Sequence, residues 1–174
     1  MHPFRHFRTI THHRHLVIAG CFRAGIPWRG LLHDLSKYSP TEFFTGAKYY
    51  LGTRSPNAAE REAIGYSAAW LHHKGRNPHH FEYWTDFSKA TGRYEPVKMP
   101  LKYLKEMFCD RIAASRTYQG KNYTDRHPLE YLTTRNDRDL MHPESYAMME
   151  KMLTVLAEKG EKEAFRFVRN LKSY

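Results

Sequence analysis

The sequence predicts an all-α fold. Period-two alternation of Val, Ile and Thr, which is typical of strands, is absent from the 174 residues, whereas apolar residues recur at helical spacings. Proline and cap-forming residues divide the chain into segments of helical length. A 41% hydrophobic share suffices for a core, and no linker is long enough to divide the chain. We therefore expect one helical domain over residues 1–174.

Each predicted helix begins at a proline or at a residue that can cap a helix. In the first half of the chain the predicted helices are about Thr9–Ala24, Trp28–Lys37 after Pro27, a segment that begins at Ser39-Pro40, and about Asn57–His73. In the second half they are a helix from Pro100 to about Tyr118 and a final segment from His142-Pro143 that breaks near Gly160. The region between these two, about Gly120–Asp139, is expected to be looser.

Composition restricts the class of protein. The net charge of +10 favours anionic partners such as nucleotides, phosphoesters or nucleic acid, although a solvated basic surface explains it equally well. No stretch reaches the roughly 18 apolar residues that a membrane span needs, and the short apolar piece Leu16–Phe22 is a poor signal peptide. Two Cys are too few for a disulfide scaffold. We expect a cytoplasmic protein without a membrane partner.

The doublet His33-Asp34 is the most informative feature of the chain. It follows the apolar pair Leu31-Leu32, and Lys37 follows three residues after Asp34. Burying an imidazole beside a carboxylate costs several kcal/mol unless both are satisfied. A divalent metal ion would satisfy both, so the doublet indicates a metal site.

Helical periodicity selects further candidate ligands among the other His residues. In the first helix His13 lies at the edge of the apolar face, whereas His12 and His15 point away; a core His bonded to backbone is the alternative. In the predicted helix over 57–73, the wheel places His72 beside the apolar face and His73 opposite it.

Two further elements carry candidate donors. His79-His80 lie in an aromatic-rich turn, for which a surface His patch is the alternative. Asp110 lies in the helix after Pro100 but well off the centre of its core stripe, so a solvated Asp paired with Arg111 or Arg116 is the alternative. Imidazole and carboxylate donors suit Zn, Fe, Mn, Co or Ni.

In these residues the chain resembles the HD-domain superfamily of metal-dependent phosphohydrolases, whose ligands follow the order His, His-Asp and a later Asp. The matching residues are His13, His33-Asp34 and Asp110, and the setting Leu-Leu-His-Asp-Leu-Ser-Lys is close to the family's Leu-His-Asp-Ile-Gly-Lys. The resemblance implies an HD-domain-like helical bundle with a core over about 9–118 and a C-terminal helical extension over about 143–172.

The resemblance also implies a cofactor of one or two divalent transition-metal ions. Binuclear members of the superfamily add His ligands between the doublet and the final Asp, and His72, His79 and His80 occupy that interval. One ion would be held by His13, His33, Asp34 and Asp110, and the second by His72 with His79 or His80.

More narrowly, the chain is similar to a bacterial family of uncharacterised proteins, the domain of unknown function DUF5662. The similar stretches are His33–Phe43, Trp70–Asn77 and Met107–Arg111. This resemblance covers nearly the whole chain and implies no activity of its own.

The first functional hypothesis is a metal-dependent phosphohydrolase acting on a small anionic substrate, a nucleotide or another phosphoester. The metal would lower the pKa of a water molecule toward about 7, and the resulting hydroxide would attack phosphorus. Lys37, Arg76 and Arg111 are candidates to neutralise phosphate charge. A helix C-terminal role for Lys37 and exposed salt bridges for the two arginines are the alternatives.

Two other functions stay open. A di-iron oxygenase uses the same scaffold and the same kinds of ligand. A non-enzymatic binding protein with a structural metal is the third hypothesis, with nucleic acid as a less favoured partner because helix-turn-helix, zinc-finger and RNA-recognition signatures are absent. The final segment, Pro143–Leu171, is expected to pack against the bundle, and a homodimer face there is the alternative.

Overall fold

The computed structural model describes residues 1–174 and confirms the predicted all-α fold, a helical bundle with one small hairpin. The α-helices are α1 (Pro3–Arg23), α2 (Pro27–Leu32), α3 (Pro40–Lys48), α4 (Pro56–Ile64), α5 (Ala68–Lys74), α6 (Leu101–Gln119), α7 (His127–Thr133), α8 (Asp137–Leu140) and α9 (Pro143–Asn170). Single 3-10 turns span Leu35–Tyr38, Phe81–Tyr83 and Gly120–Asn122. None of these helices combines the length and hydropathy needed to cross a bilayer.

Helix α6 is the centre of the bundle. It packs on α1 along one side and on α9 along another, so that Leu104 and Phe108 are fully buried beside Val17 of α1 and Leu156 of α9. Each such side chain contributes about 1.5–3 kcal/mol when it is removed from water. A helix enclosed in this way can also bury polar residues where a neighbouring element supplies their partners.

The predicted helix over 28–37 is in fact two elements. Helix α2 ends at Leu32, and Asp34 adopts a left-handed backbone with φ of 53°, the one non-glycine residue in the chain with positive φ. Asp is one of the few side chains that tolerate this region. Because of this reversal, the His33-Asp34 doublet faces the interior of the bundle and does not continue α2.

The predicted helix over 57–73 is also divided. Helix α4 ends at Ile64 with Gly65 as its cap, whose φ of 85° suits glycine, and α5 begins after Ser67, whose side chain accepts a hydrogen bond from the backbone N–H of Trp70. A wheel drawn across this break carries the wrong phase into α5. Leu71, which such a wheel aligns with the apolar face of the predicted helix, is therefore exposed.

Other differences concern short elements. Strands β1 (Thr85–Ser88) and β2 (Arg93–Pro96) form an antiparallel hairpin in which Thr85 pairs with Pro96; four-residue strands are too short to show a reliable alternation. The region over 120–139, expected to be looser, contains α7 and α8. The predicted break near Gly160 is confirmed, because Gly160 has a non-helical φ of 77° within α9.

Candidate metal centre

Five elements bring seven candidate donors to one buried point beside α6. Helix α1 supplies His13, the turn after α2 supplies the doublet, α5 supplies one His, the segment before the second 3-10 turn supplies two, and α6 supplies one Asp. The seven are His13, His33, Asp34, His73, His79, His80 and Asp110. They form two groups, within each of which the donor atoms lie within 4.8 Å of one another.

The first group contains His13, His33, Asp34 and Asp110. Nε2 of His13 lies 3.0 Å from Oδ1 of Asp110, and Nε2 of His33 lies 3.2 Å from Oδ2 of Asp34. The predicted burial of His13 is confirmed, while His12 and His15 are exposed. Two imidazoles and two carboxylates thus face a common point.

The second group contains Asp34, His73, His79 and His80. Nε2 of His73 lies 3.3 Å and Nε2 of His79 lies 3.4 Å from Oδ1 of Asp34. Nε2 of His80 lies 2.9 Å from Nε2 of His73. The helical wheel favoured His72 over His73, and the structure reverses this order because α5 has its own phase after the break at Gly65.

Asp34 belongs to both groups. Its Oδ2 faces His33 and His13, and its Oδ1 faces His73 and His79. The left-handed backbone at Asp34 places the carboxylate between the groups. Strain of this kind costs about 1–3 kcal/mol and is concentrated at functional sites in proteins.

Two buried glutamates that the sequence pattern did not predict contact the outer nitrogens of the candidate ligands. Oε1 of Glu106 accepts a hydrogen bond from Nδ1 of His33 at 3.0 Å, and Glu42 lies 2.7 Å from Nδ1 of both His72 and His73. A carboxylate at Nδ1 fixes the tautomer and leaves Nε2 free to bind a metal. Glu106 also forms a group with His33 and His79. Because the Nε2 atoms of both rings face Asp34, Glu106 is placed to hold these two imidazoles at Nδ1 and not to bind the metal itself.

A signal for Glu106 was present in the sequence, because it precedes Asp110 by one helical turn and so shares its face of α6. Glu42 had no such signal. Its position three residues after Ser39 suggests a capping box, but Ser39 makes no side-chain cap in the structure.

The electrostatics of the centre favour ionised carboxylates. Burial opposes the charge, yet neighbouring His side chains, with Lys37 in addition at Asp34, hold the pKa values of Asp34 and Asp110 well below their usual range. Burial lowers the pKa of His13 and of His79. Burial alone would also lower the pKa of His33, but Asp34, Glu106 and Asp110 outweigh it and raise that pKa to about 10. The ionised carboxylates of Asp34 and Asp110 therefore favour a positive charge between them.

A metal ion fits this set of residues. The inward Nε2 atoms of His13, His33 and His79, together with Oδ1 of Asp34, are buried without a well-aligned hydrogen-bond partner. Buried polar atoms are rarely left in that condition in proteins, and imidazole nitrogen with carboxylate oxygen is a donor set for divalent transition metals.

A cavity of about 690 Å³ opens onto the centre. Its wall includes His13, His73, His80 and Asp110, together with Lys37. Nζ of Lys37 lies 2.6 Å from Oδ2 of Asp34, so the cation is held at the junction of the cavity and the donor groups.

The three other residues predicted for the site lie outside both donor groups. His72 is partly exposed and contacts Glu42, outside both donor groups. Arg76 is exposed, donates to the backbone carbonyl of His72 and takes no part in the cavity wall. Arg111 does line the cavity, but its Nη2 donates to Oδ2 of Asp137 at 2.8 Å in a buried ion pair.

Comparison with known proteins gives a family but no activity. Neither a curated protein nor a solved structure matches the chain. A family model, described as a family of unknown function, matches residues 2–155, which include all seven candidate donors. The chain therefore belongs to that family, DUF5662.

Proposed function

We propose that this protein is a metal-dependent phosphohydrolase of the HD-domain type with two ion positions that share Asp34. The observation that supports the proposal is the placement of one Asp34 oxygen in each donor group. Two-metal hydrolases hold their ions about 3.5–4 Å apart and use them on the attacking and leaving oxygens. A carboxylate shared between two donor groups suits such a pair.

The order of the ligands supports the HD-domain type. His13, the His33-Asp34 doublet and Asp110 follow one another along a helical chain in the order of that superfamily, and in space they form the first donor group. His73, His79 and His80 would complete the second position with Asp34. The divalent ions, one or two of Fe, Mn, Co, Ni or Zn, would supply Lewis acidity and lower the pKa of water from 15.7 to about 7.

The chain's own residues would perform three tasks. Asp34 and Asp110 hold negative charge at the centre, and the imidazoles, which bind a metal in their neutral form, would add donors without adding charge. Lys37, in the cavity wall and 2.6 Å from Asp34, would neutralise a phosphoryl oxygen of the substrate. The buried setting of the doublet excludes bulk water, which strengthens these charge interactions.

The cavity supports a small substrate. Its volume of about 690 Å³ lies within the range of sites for small molecules. Arg61 lines it in addition to Lys37, so a phosphorylated compound of nucleotide size suits the volume and has two cations in the wall to contact. A concave site of this kind does not favour nucleic acid as the partner.

Metal analysis followed by a phosphatase screen tests the proposal. Protein purified without added metal is expected to hold up to two ions per chain and to release phosphate from p-nitrophenyl phosphate or from a member of a nucleotide panel. His13→Ala is expected to lose metal and turnover. His12→Ala is the matched control, because it removes an exposed His from the adjacent position of the same helix.

Other outcomes favour the alternatives. Two irons with oxygen consumption and no phosphate release would support the oxygenase. Bound metal without turnover under any of the five metals would support a non-enzymatic protein with a structural metal. Full metal content in both His33→Ala and Asp34→Asn would contradict the site itself.

A further inference from the structure

The Glu106 carboxylate contacts one imidazole from each donor group. Its Oε1 lies 3.0 Å from Nδ1 of His33 and 3.2 Å from Nδ1 of His79, and the two imidazole ring centroids are 4.4 Å apart. Its Oε2 accepts a hydrogen bond from Nε of Arg29 at 2.7 Å. The side chain of Glu106 is fully buried, so water does not compete for these contacts.

We propose that Glu106 is a positioning residue that couples the loading of the two ion positions, an inference that rests on the binuclear site proposed above. His33 belongs to the first donor group and His79 to the second. Because both rings share one oxygen, the orientation of either ring constrains the other through the carboxylate.

The coupling between the two ion positions arises from the orientation of the imidazole rings. His33 donates its Nδ1–H to Glu106 and so presents the lone pair of Nε2 to the centre, as a metal ligand must. Nδ1 of His79 lies 3.2 Å from the same oxygen without the alignment of a hydrogen bond. An ion at the first position would hold His33, and through it the Glu106 carboxylate, so His79 would be partly ordered before a second ion binds and the entropic cost of that binding would be smaller.

Charge favours loading of either position. The negative charge of Glu106 lies one imidazole ring away from each of them, which stabilises a cation at both. Arg29 of α2 anchors the outer oxygen, which prevents the carboxylate from rotating toward one ring at the expense of the other.

Glu42 provides the contrast within the same site. It contacts Nδ1 of His73, a member of the second donor group, and Nδ1 of His72, which belongs to neither group. Glu42 therefore supports one ion position only. Glu42→Gln is the matched control for Glu106→Gln, because both substitutions neutralise a buried carboxylate that holds imidazoles.

Titration with Mn²⁺, followed by calorimetry and electron paramagnetic resonance, tests the coupling. At one Mn²⁺ per chain, the wild-type protein is expected to show the spectrum of magnetically coupled Mn²⁺ pairs, because doubly loaded chains form before singly loaded ones accumulate. Glu106→Gln is expected to show isolated Mn²⁺ instead, with affinity reduced about 10–100-fold at both positions. Glu42→Gln is expected to weaken only one position by a similar factor.

Arg29→Gln serves as a second variant, because it leaves every ligand and the Glu106 carboxylate in place while removing the anchor. A loss of affinity at both positions, smaller than that of Glu106→Gln, is expected. Circular dichroism with chelator present establishes that each variant is folded.

The coupling is overturned if the wild type takes up fewer than two Mn²⁺, if it shows only isolated Mn²⁺ at one equivalent, or if Glu106→Gln weakens the same single position as Glu42→Gln. These readouts do not depend on turnover. Coupled loading without phosphatase activity would leave this inference standing while contradicting the proposed reaction.

Discussion

Nε2 of His73 lies 3.3 Å from Oδ1 of Asp34, and the imidazole of His73 is almost fully buried. Its sequence neighbour His72 points to the other side of Glu42 and is partly exposed. Two adjacent His residues thus have different surroundings, and only one of them belongs to a donor group.

Substitution of these two residues separates their roles. His73→Ala is expected to lower the metal content by one ion per chain, because it removes a donor of the second group. His72→Ala is expected to keep the wild-type metal content. Elemental analysis by mass spectrometry measures both. Loss of an ion in His72→Ala but not in His73→Ala would restore the order of the wheel, and equal losses would contradict the separate roles of the two residues.

Gly46→Ala is expected to destabilise the contact between α1 and α3. A Cβ at Gly46 would clash with the buried ring of His6, so that ring or one of the two helices must shift. Overpacking of this kind costs about 1–3 kcal/mol of unfolding free energy, measured by denaturant unfolding.

Gly75→Ala is the control for that substitution. Gly75 has an ordinary helical backbone, and a Cβ there would meet its nearest atom at 3.4 Å. A change within about 0.5 kcal/mol is expected. A Gly46→Ala protein as stable as the wild type would refute the tight α1–α3 contact.

The pH dependence of stability should contain a contribution from His6. Burial, with a smaller effect from Lys37, lowers the pKa of His6 to about 4. The unfolded chain binds this proton near pH 6.5, so the stabilisation is complete above pH 6.5 and is lost as the pH falls toward 4. The loss amounts to about 1–3 kcal/mol.

Comparison with His6→Gln isolates this contribution, because Gln does not titrate in the range. Denaturant unfolding at several pH values between 7 and 4 should give a shallower decline for His6→Gln than for the wild type. His12→Gln, at an exposed position of the same helix, should retain the wild-type slope. Parallel curves for the wild type and His6→Gln would contradict the buried, neutral state of His6.

Arg111→Met is expected to act mainly on stability. The Arg111–Asp137 ion pair is buried at 2.8 Å and connects α6 to α8. Removing one partner of a buried pair costs about 3–5 kcal/mol because the other charge stays buried, although Arg135 at 3.4 Å compensates in part. Thermal and denaturant unfolding measure the loss.

Arg116→Met on the same helix is the comparison. Its ion pair with Glu161 is partly exposed, so a cost of about 1 kcal/mol or less is expected. Similar costs for both variants would mean that Arg111 is not held by a buried pair.

Several features of the site followed from local pattern. The periodicity of α1 predicted the burial of His13 because that helix is continuous from Pro3 to Arg23. The apolar flank of His33-Asp34 predicted a buried pair, and both residues are buried. Asp110 could not be found in this way, because α6 buries two faces and its apolar stripe identifies only one of them.

The sequence by itself determined the all-α class, the start of most helices and the identity of the doublet, because capping, proline position and apolar spacing are local properties of the chain. Tertiary structure alone decided that His73 rather than His72 belongs to a donor group, that Glu106 and Glu42 contact the candidate ligands, and that Arg111 pairs with Asp137. These depend on the breaks at Asp34 and Gly65 and on how separate helices meet. When one residue adopts a different backbone region, the directions of all the side chains after it change. The residues that are then brought into contact lie far apart in the chain.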